Sequence, residues 1–213
     1  MGTPCPLCEA PDTEPFHRSR TRRFLQCARC RLVLVPPDEW VDRDAEKARY
    51  DQHQNDAADP RYRAFLSRLA DPLLARLPAG SRGLDFGCGP GPALPQMLAE
   101  RGMIVRVFDP FYAPDETVWQ ERYDFVAATE VVEHLQRPRH ELTRLFDALV
   151  PGGWLAVMTR WVGGLESFAA SRYIRDPTHI CFYGPDTFRW IAAHWRATLV
   201  LPAPDVALLK REV

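Results

Sequence analysis

A chain of 213 residues with 27 basic and 28 acidic side chains has room for one full α/β domain and a small appendage. Near-neutral charge gives no global pull towards nucleic acid or an anionic membrane, and no apolar run approaches the ~18 residues of a membrane span. The start, Met1-Gly2-Thr3-Pro4-Cys5, has neither a basic nor an apolar leader region, so the six cysteines point to metal and thiol roles in the cytosol rather than to disulfides.

The first element is a metal module. Cys5-Pro6-Leu7-Cys8 and Cys27-Ala28-Arg29-Cys30 are two CxxC pairs separated by 18 residues, the spacing of a four-cysteine zinc ribbon. A segment this short cannot bury a core of its own, so four thiolates on one zinc ion would supply its folding energy. Phe24-Leu25-Gln26 and Leu32-Val33-Leu34-Val35 are the expected ribbon strands on either side of the second pair. The arginines from Arg18 to Arg31 form a surplus too small for a nucleic-acid grip, and read as a solvated face that docks on the rest of the chain. The ribbon is assigned to residues 1–37.

Residues 38–80 read as a helical connector and cap. Glu39 to Asn55 is predicted helical with a wet face. Asp59 is placed as the N-cap of a second helix, with Pro60 at its first position. Tyr62, Phe65, Leu66, Leu69, Leu73 and Leu74 then recur at helical spacing and should lie over a sheet. Between these helices, Tyr50 and His53 belong to a polar and aromatic cluster, read either as a solvated helix end or as a lid over a site.

From residue 81 the chain alternates between strands and helices. Strands are predicted at Gly83–Phe86, Ile104–Phe108, Tyr123–Ala128, Trp154–Thr159, Ala197–Leu201 and Asp205–Lys210. Helices are predicted at Pro92–Arg101, Arg139–Leu149 and Pro185–His194. This is a doubly wound α/β domain, and the closing strand pair without a helix between implies an antiparallel strand at the carboxyl edge. Only 13 residues separate Asp109 from Tyr123, so the usual helix and third strand there cannot both fit. A short edge strand around Val118 is the most that this segment allows.

The first strand runs through Asp85 into Gly87-Cys88-Gly89-Pro90-Gly91. Three glycines let the backbone turn sharply and approach a ligand. The spacing is not the GxGxxG of a dinucleotide site, Pro90 removes one amide donor, and Asp85 would repel phosphate. Asp85 suits a ligand ammonium, and Asp109, at the end of the second strand, suits ribose hydroxyls. An ammonium-bearing nucleoside without phosphates, S-adenosylmethionine, fits both. A nicotinamide dinucleotide fits the loop poorly. Cys88 reads as packing in the turn.

Gly83-Leu84-Asp85-Phe86-Gly87-Cys88-Gly89-Pro90-Gly91, Asp109, the run from Tyr123 to His134, and Pro151-Gly152-Gly153-Trp154-Leu155 resemble the successive motifs of class I S-adenosylmethionine-dependent methyltransferases. With its leading ribbon, the chain is similar to a bacterial subgroup whose substrates are generally unassigned. The resemblance implies a Rossmann-like methyltransferase sheet with an antiparallel final strand over residues 81–213. It also implies that Gly87, Gly89 and Gly91 line the methionine moiety, Asp109 holds the ribose, and Glu130 lies at the cofactor's edge. Cys88 and Pro110 complete the expected cofactor set, with Phe108, Phe111 and Tyr112 as further apolar walls for the adenine.

Glu130, Glu133 and His134 stand at i, i+3 and i+4, and would share one face of a helical turn beside the transferred methyl. His179, in the loop from Arg172 to Tyr183, is placed to return over the same edge. Two carboxylates and two imidazoles make a sensible divalent-metal site, a pattern similar to that of metal-dependent members of the family. Without metal, His134 or His179 is the general base, with Glu133, Tyr50 and His53 around it. Tyr50, Phe111, Trp161, Tyr173 and Tyr183 are candidates for the acceptor cavity. The expected reaction is methyl transfer to an oxygen of a small molecule, with nitrogen as the second choice of acceptor atom. The alternative is a ribbon protein with a non-catalytic domain that acts on RNA or a protein partner.

Overall fold

The computed structural model describes residues 2–52 and 56–212. The amino-terminal strands are β1 (Glu14–Arg18), β2 (Arg23–Gln26) and β3 (Val33–Leu34), paired antiparallel in that order. Both CxxC turns are closed the same way. The amide of Glu9 donates to the Cys5 carbonyl and that of Arg31 to the Cys27 carbonyl, each at 3.0 Å, and both Glu9 and Arg31 take positive φ. That matched pair of tight turns aims four sulfurs at one point.

Helix α1 (Arg43–Tyr50) is shorter than the predicted Glu39–Asn55. Asp42 caps it by accepting from the Ala45 amide at 2.8 Å, and a separate 3-10 turn covers Pro37–Glu39. A carboxylate that caps cannot also continue a helix. Helix α2 (Pro60–Leu74) begins as predicted, with the Asp59 carboxylate accepting from the Arg61 amide. It buries Leu66, Leu69, Ala70 and Leu73, and ends soon after Pro72, which has no amide to donate.

Next come β4 (Arg82–Phe86), α3 (Ala93–Ala99), β5 (Ile104–Phe108), β6 (Tyr123–Thr129), α4 (Pro138–Ala148) and β7 (Leu149–Met158). The chain closes with α5 (Leu165–Ala170), β8 (Cys181–Phe182), α6 (Pro185–His194), β9 (Ala197–Ala203) and β10 (Val206–Arg211). The main sheet has the order β5-β4-β6-β7-β10-β9. Its β4, β5, β6 and β7 are parallel, and β10 is antiparallel to both its neighbours. The final strand is therefore antiparallel but not at the edge. Val206 to Leu209 are all buried, so β10 takes the interior position and the more exposed β9 closes the sheet.

The segment after β5 forms a 3-10 turn, Glu116–Gln120, instead of the short strand expected around Val118. Asp115 caps that turn at the Thr117 amide, and Trp119 packs edge-on against Phe86 and Phe108. Thus β5 is the edge strand, and an indole with Arg144 stacked 4.0 Å above it covers the space usually filled by a third strand.

The ribbon is not a loose appendage. Its β3 pairs antiparallel with β8, so one four-stranded sheet is built from the two ends of the chain. Phe24 meets Phe168 and Phe182 edge-on, and the buried cysteines belong to the same continuous core as Leu84, Val126 and Leu155. No helix among the described residues is long and apolar enough to cross a membrane.

Candidate active site

A cavity of about 460 Å³ opens at the carboxyl ends of β4, β5 and β6. Its floor is the glycine turn after β4, where Gly87 and Gly89 take φ of +78° and +63°. At Gly87 a Cβ would stand 2.4 Å from a Val131 methyl, so both the backbone angle and the space require glycine. Asp109 ties the turn to β5. Its carboxylate accepts from the amide of Gly89 at 3.0 Å, and from those of Phe111 and Tyr112 at 2.8 and 3.1 Å. Asp85 is only 4% exposed, and burial followed by the charge of Asp109 pushes its carboxyl up to about 7. Cys88 lines the cavity, and burial pushes its thiol up to about 12, so it is not an activated nucleophile.

Pro110, Phe111 and Tyr112 line the cavity, whereas Phe108 stacks beneath it on Phe86. Of the proposed acceptor aromatics, Tyr50, Phe111 and Tyr173 reach the cavity. Trp161 lines a separate small hollow. Tyr183 is core, its hydroxyl donating to the Val132 carbonyl. Tyr50 donates to Glu46 at 2.7 Å and packs edge-on against His134 and Phe111. Burial holds the Tyr50 phenol well above its ordinary value, so it stays protonated. His53 lies outside the described residues.

After β6 the chain does not form the expected helical turn. Glu130 takes a φ of +53°, and a 3-10 turn covers Val132–His134. Glu130 therefore separates from the other three candidates. Glu133, His134 and His179 bring ligand atoms within 4.8 Å of one another, and Glu130 is not in that group. It lines the cavity beside them, its carboxyl pushed up to about 9 by burial and by the charges of Glu133 and Asp205. Glu133 is fully buried. It accepts from Tyr173 Oη at 2.5 Å and Thr159 Oγ1 at 3.0 Å, and burial still lifts its carboxyl to about 7.

Both histidines are oriented by the loop that follows α5. His134 Nδ1 lies 3.1 Å from the Thr178 carbonyl, and His179 Nδ1 lies 2.8 Å from the Tyr173 carbonyl. A carbonyl can only accept, so each Nδ1 carries the hydrogen and each lone pair is on Nε2. The rings stand 4.7 Å apart, and burial lowers the His179 pKa, which keeps that ring neutral.

This loop is held from the ribbon. Arg22, 9% exposed, donates to the carbonyls of Ile174, Asp176 and His179 at 3.3, 2.6 and 2.5 Å. Arg49 of α1 pairs with the Asp176 carboxylate. The sequence places Arg22 on a solvated face that docks on the rest of the chain; the docking is there, but Arg22 is buried in it. Its partners lie 152 to 157 residues away, and no spacing could have announced them. At the other end of the ribbon, Cys5 and Cys30 sulfurs are 3.5 Å apart, and those of Cys8 and Cys27 are 3.4 Å apart. A tetrahedral thiolate shell with metal–sulfur distances of about 2.3 Å has edges of ~3.8 Å, so the set fits one zinc ion.

The sheet order, the glycine turn under Asp85 and the cavity above it define an enzyme of the S-adenosylmethionine-dependent methyltransferase class. Residues 40–195 match the family model of a methyltransferase domain, and the chain belongs to the class I S-adenosylmethionine-dependent methyltransferases. No curated protein matches its sequence. Among solved structures it is similar to DesVI of Streptomyces venezuelae, with 17% identity over 81% of this chain and 99% of that one, at a TM-score of 0.51. It also matches the T. thermophilus 16S rRNA methyltransferase RsmC, with 20% identity, 68% and 39% coverage and a TM-score of 0.41. A third match is the CurJ carbon methyltransferase, at 14% identity, 66% coverage and a TM-score of 0.45, where this chain spans about half (51%) of that chain's length. These likenesses speak to the fold alone.

Proposed function

We propose that this enzyme transfers the methyl group of S-adenosylmethionine to an oxygen of a small acceptor molecule, with nitrogen as the alternative acceptor atom. The observation that carries this reading is the pair of histidines that line the cavity, each with its Nδ1 at hydrogen-bond distance from a backbone carbonyl and each with a nitrogen within 4.8 Å of a Glu133 carboxylate oxygen. When bound, S-adenosylmethionine supplies an electrophilic methyl on a positively charged sulfur. Asp85 is placed to accept from its ammonium and Asp109 from its ribose. Gly87, Gly89 and Gly91 allow close backbone approach, Cys88 and Pro110 fill space, and Glu130 closes the cofactor's edge. Glu46, Tyr50 and Tyr173 wall off the acceptor end, which aligns the acceptor and excludes water.

The acceptor hydroxyl loses its proton to Nε2 of His134 or His179 as its oxygen bonds to the methyl carbon and the carbon–sulfur bond breaks. The same three side chains, Glu133, His134 and His179, also make an acceptable donor set for a divalent ion, which would lower the acceptor's pKa. One zinc ion on Cys5, Cys8, Cys27 and Cys30 is structural in this reading, and none of the four cysteines lines the cavity.

Labelled-methyl transfer followed against pH and chelator tests the proposal. A histidine base gives a rate that falls at acid pH and ignores a chelator too weak to strip the ribbon. A metal-assisted reaction collapses on chelation without release of the donor. A product bearing the label on carbon would refute heteroatom transfer. Failure of calorimetry to detect S-adenosylmethionine or S-adenosylhomocysteine binding would refute the placement of the donor.

A further inference from the structure

The charge around the cavity is one-sided. Among the described residues Glu46, Asp85, Asp109, Glu130 and Asp176 line it, and no lysine or arginine does. Asp85 and Asp109 stand at the glycine turn and are taken by the donor in the reading above. Asp176 is neutralised by Arg49 at 2.8 Å. That leaves Glu46 and Glu130 on the lining, with Glu133 fully buried outside it, and none of the three forms an ion pair among the described residues. The hydrogen-bond donors to Glu46 and Glu133 are neutral hydroxyls of Tyr50, Tyr173 and Thr159.

Four nearby arginines have other partners. Arg43 lies over the Phe111 ring, Arg63 pairs with Glu100, Arg68 pairs with Asp205, and Arg22 is spent on the carbonyls of the histidine loop. None of these four lines the cavity.

We infer that the acceptor is an uncharged or cationic small molecule, carrying the reacting hydroxyl or amine and neither phosphate nor carboxylate. This acceptor class rests on the methyl-transfer reading. A phosphate or carboxylate would be buried beside carboxyl groups with no lysine or arginine on the lining to receive it, which is the arrangement binding sites avoid. A neutral hydroxyl meets oxygen acceptors on Glu46, Tyr50 and Tyr173, the two phenol hydrogens being given to Glu46 and Glu133. An ammonium gains, in addition, the carboxylates and the faces of Tyr50, Phe111 and Tyr173. Burial already pushes Glu46 and Glu130 towards protonation, and a cation in the cavity would relieve that.

The test uses the full-length, zinc-loaded chain with a deuterated-methyl donor and a bacterial cell extract that contains both small molecules and RNA. Products are split on an anion exchanger at pH 8 and read by mass spectrometry against a blank without protein. Deuterated product should appear at least tenfold more in the unretained pool, which holds neutral and cationic compounds. Label in the retained pool, whether in a phosphate ester, an acid or RNA, overturns the acceptor class while the methyl-transfer reading stands. Label in neither pool overturns the methyl-transfer reading itself, and the acceptor class falls with it.

Discussion

Arg22→Met removes the clamp that joins the ribbon to the histidine loop while keeping an unbranched side chain in place. Three carbonyls lose a charged donor: Asp176 and His179, bonded at 2.6 and 2.5 Å, and Ile174, at 3.3 Å. Hydrogen bonds from a charged donor contribute about 1.5–3 kcal/mol each, and the third is weak by distance. Two offsets reduce the sum. Arg22 is desolvated with its Nε unpaired, and the Asp176 and His179 carbonyls are partly accessible to water. A loss of about 2–4 kcal/mol is expected, read as a lower urea midpoint at constant zinc content. The site should suffer more than the stability loss implies, because His179 is oriented through the Tyr173 carbonyl on the same loop. Amide exchange should accelerate at His179 and Ile180, whose amides donate to Asp176 and Glu133. Arg22→Lys should restore part of both effects. A Met variant that keeps wild-type exchange across residues 173–180 and loses under 1 kcal/mol would refute the clamp.

Replacing Cys27 and Cys30 together with serine should abolish zinc binding. Because β3 pairs with β8, the damage should reach Cys181 and Phe182 as well as the first 36 residues; intact protection of β8 in that mutant would contradict the shared sheet. Gly87→Ala should destabilise through a positive φ, about 1–2 kcal/mol, plus the clash with Val131. Adding Val131→Ala should return only the clash, and full recovery of the thermal midpoint would refute the backbone argument. Asp85 has its folded pKa raised to about 7 from an ordinary 3.8, so its contribution to stability is intact below about 4 and is lost as pH rises towards 7. Asp85→Asn should therefore gain on the wild type between pH 4 and 8, by about 4 kcal/mol at most; parallel stability curves would refute the shift. Donor binding at pH 6 should expel a proton from Asp85, so that calorimetric heats differ between phosphate and imidazole buffers. Equal heats would contradict the pairing with the donor ammonium.

The sequence by itself determined what is local. A CxxC spacing fixes which sulfurs can converge, because each pair is confined to one tight turn. Asp85 and the glycines after it are legible because a strand end and a turn are set by adjacent residues, and Asp59 could be named as a cap because its partner is two residues away. What depends on chain ends meeting was not legible. The burial of Arg22 and the interior place of β10 turn on contacts between distant segments, and the backbone break that takes Glu130 out of the cluster of Glu133, His134 and His179 sits where the Glu130 amide donates to the Met158 carbonyl. The lost third strand was half visible, since a gap of 13 residues can be counted. That Trp119 would cover it could not be, because an indole's packing surface exists only once Phe86, Phe108 and Arg144 have been brought around it. Local geometry is written in neighbouring residues, whereas burial and charge pairing are properties of the assembled core, and only tertiary structure decides them.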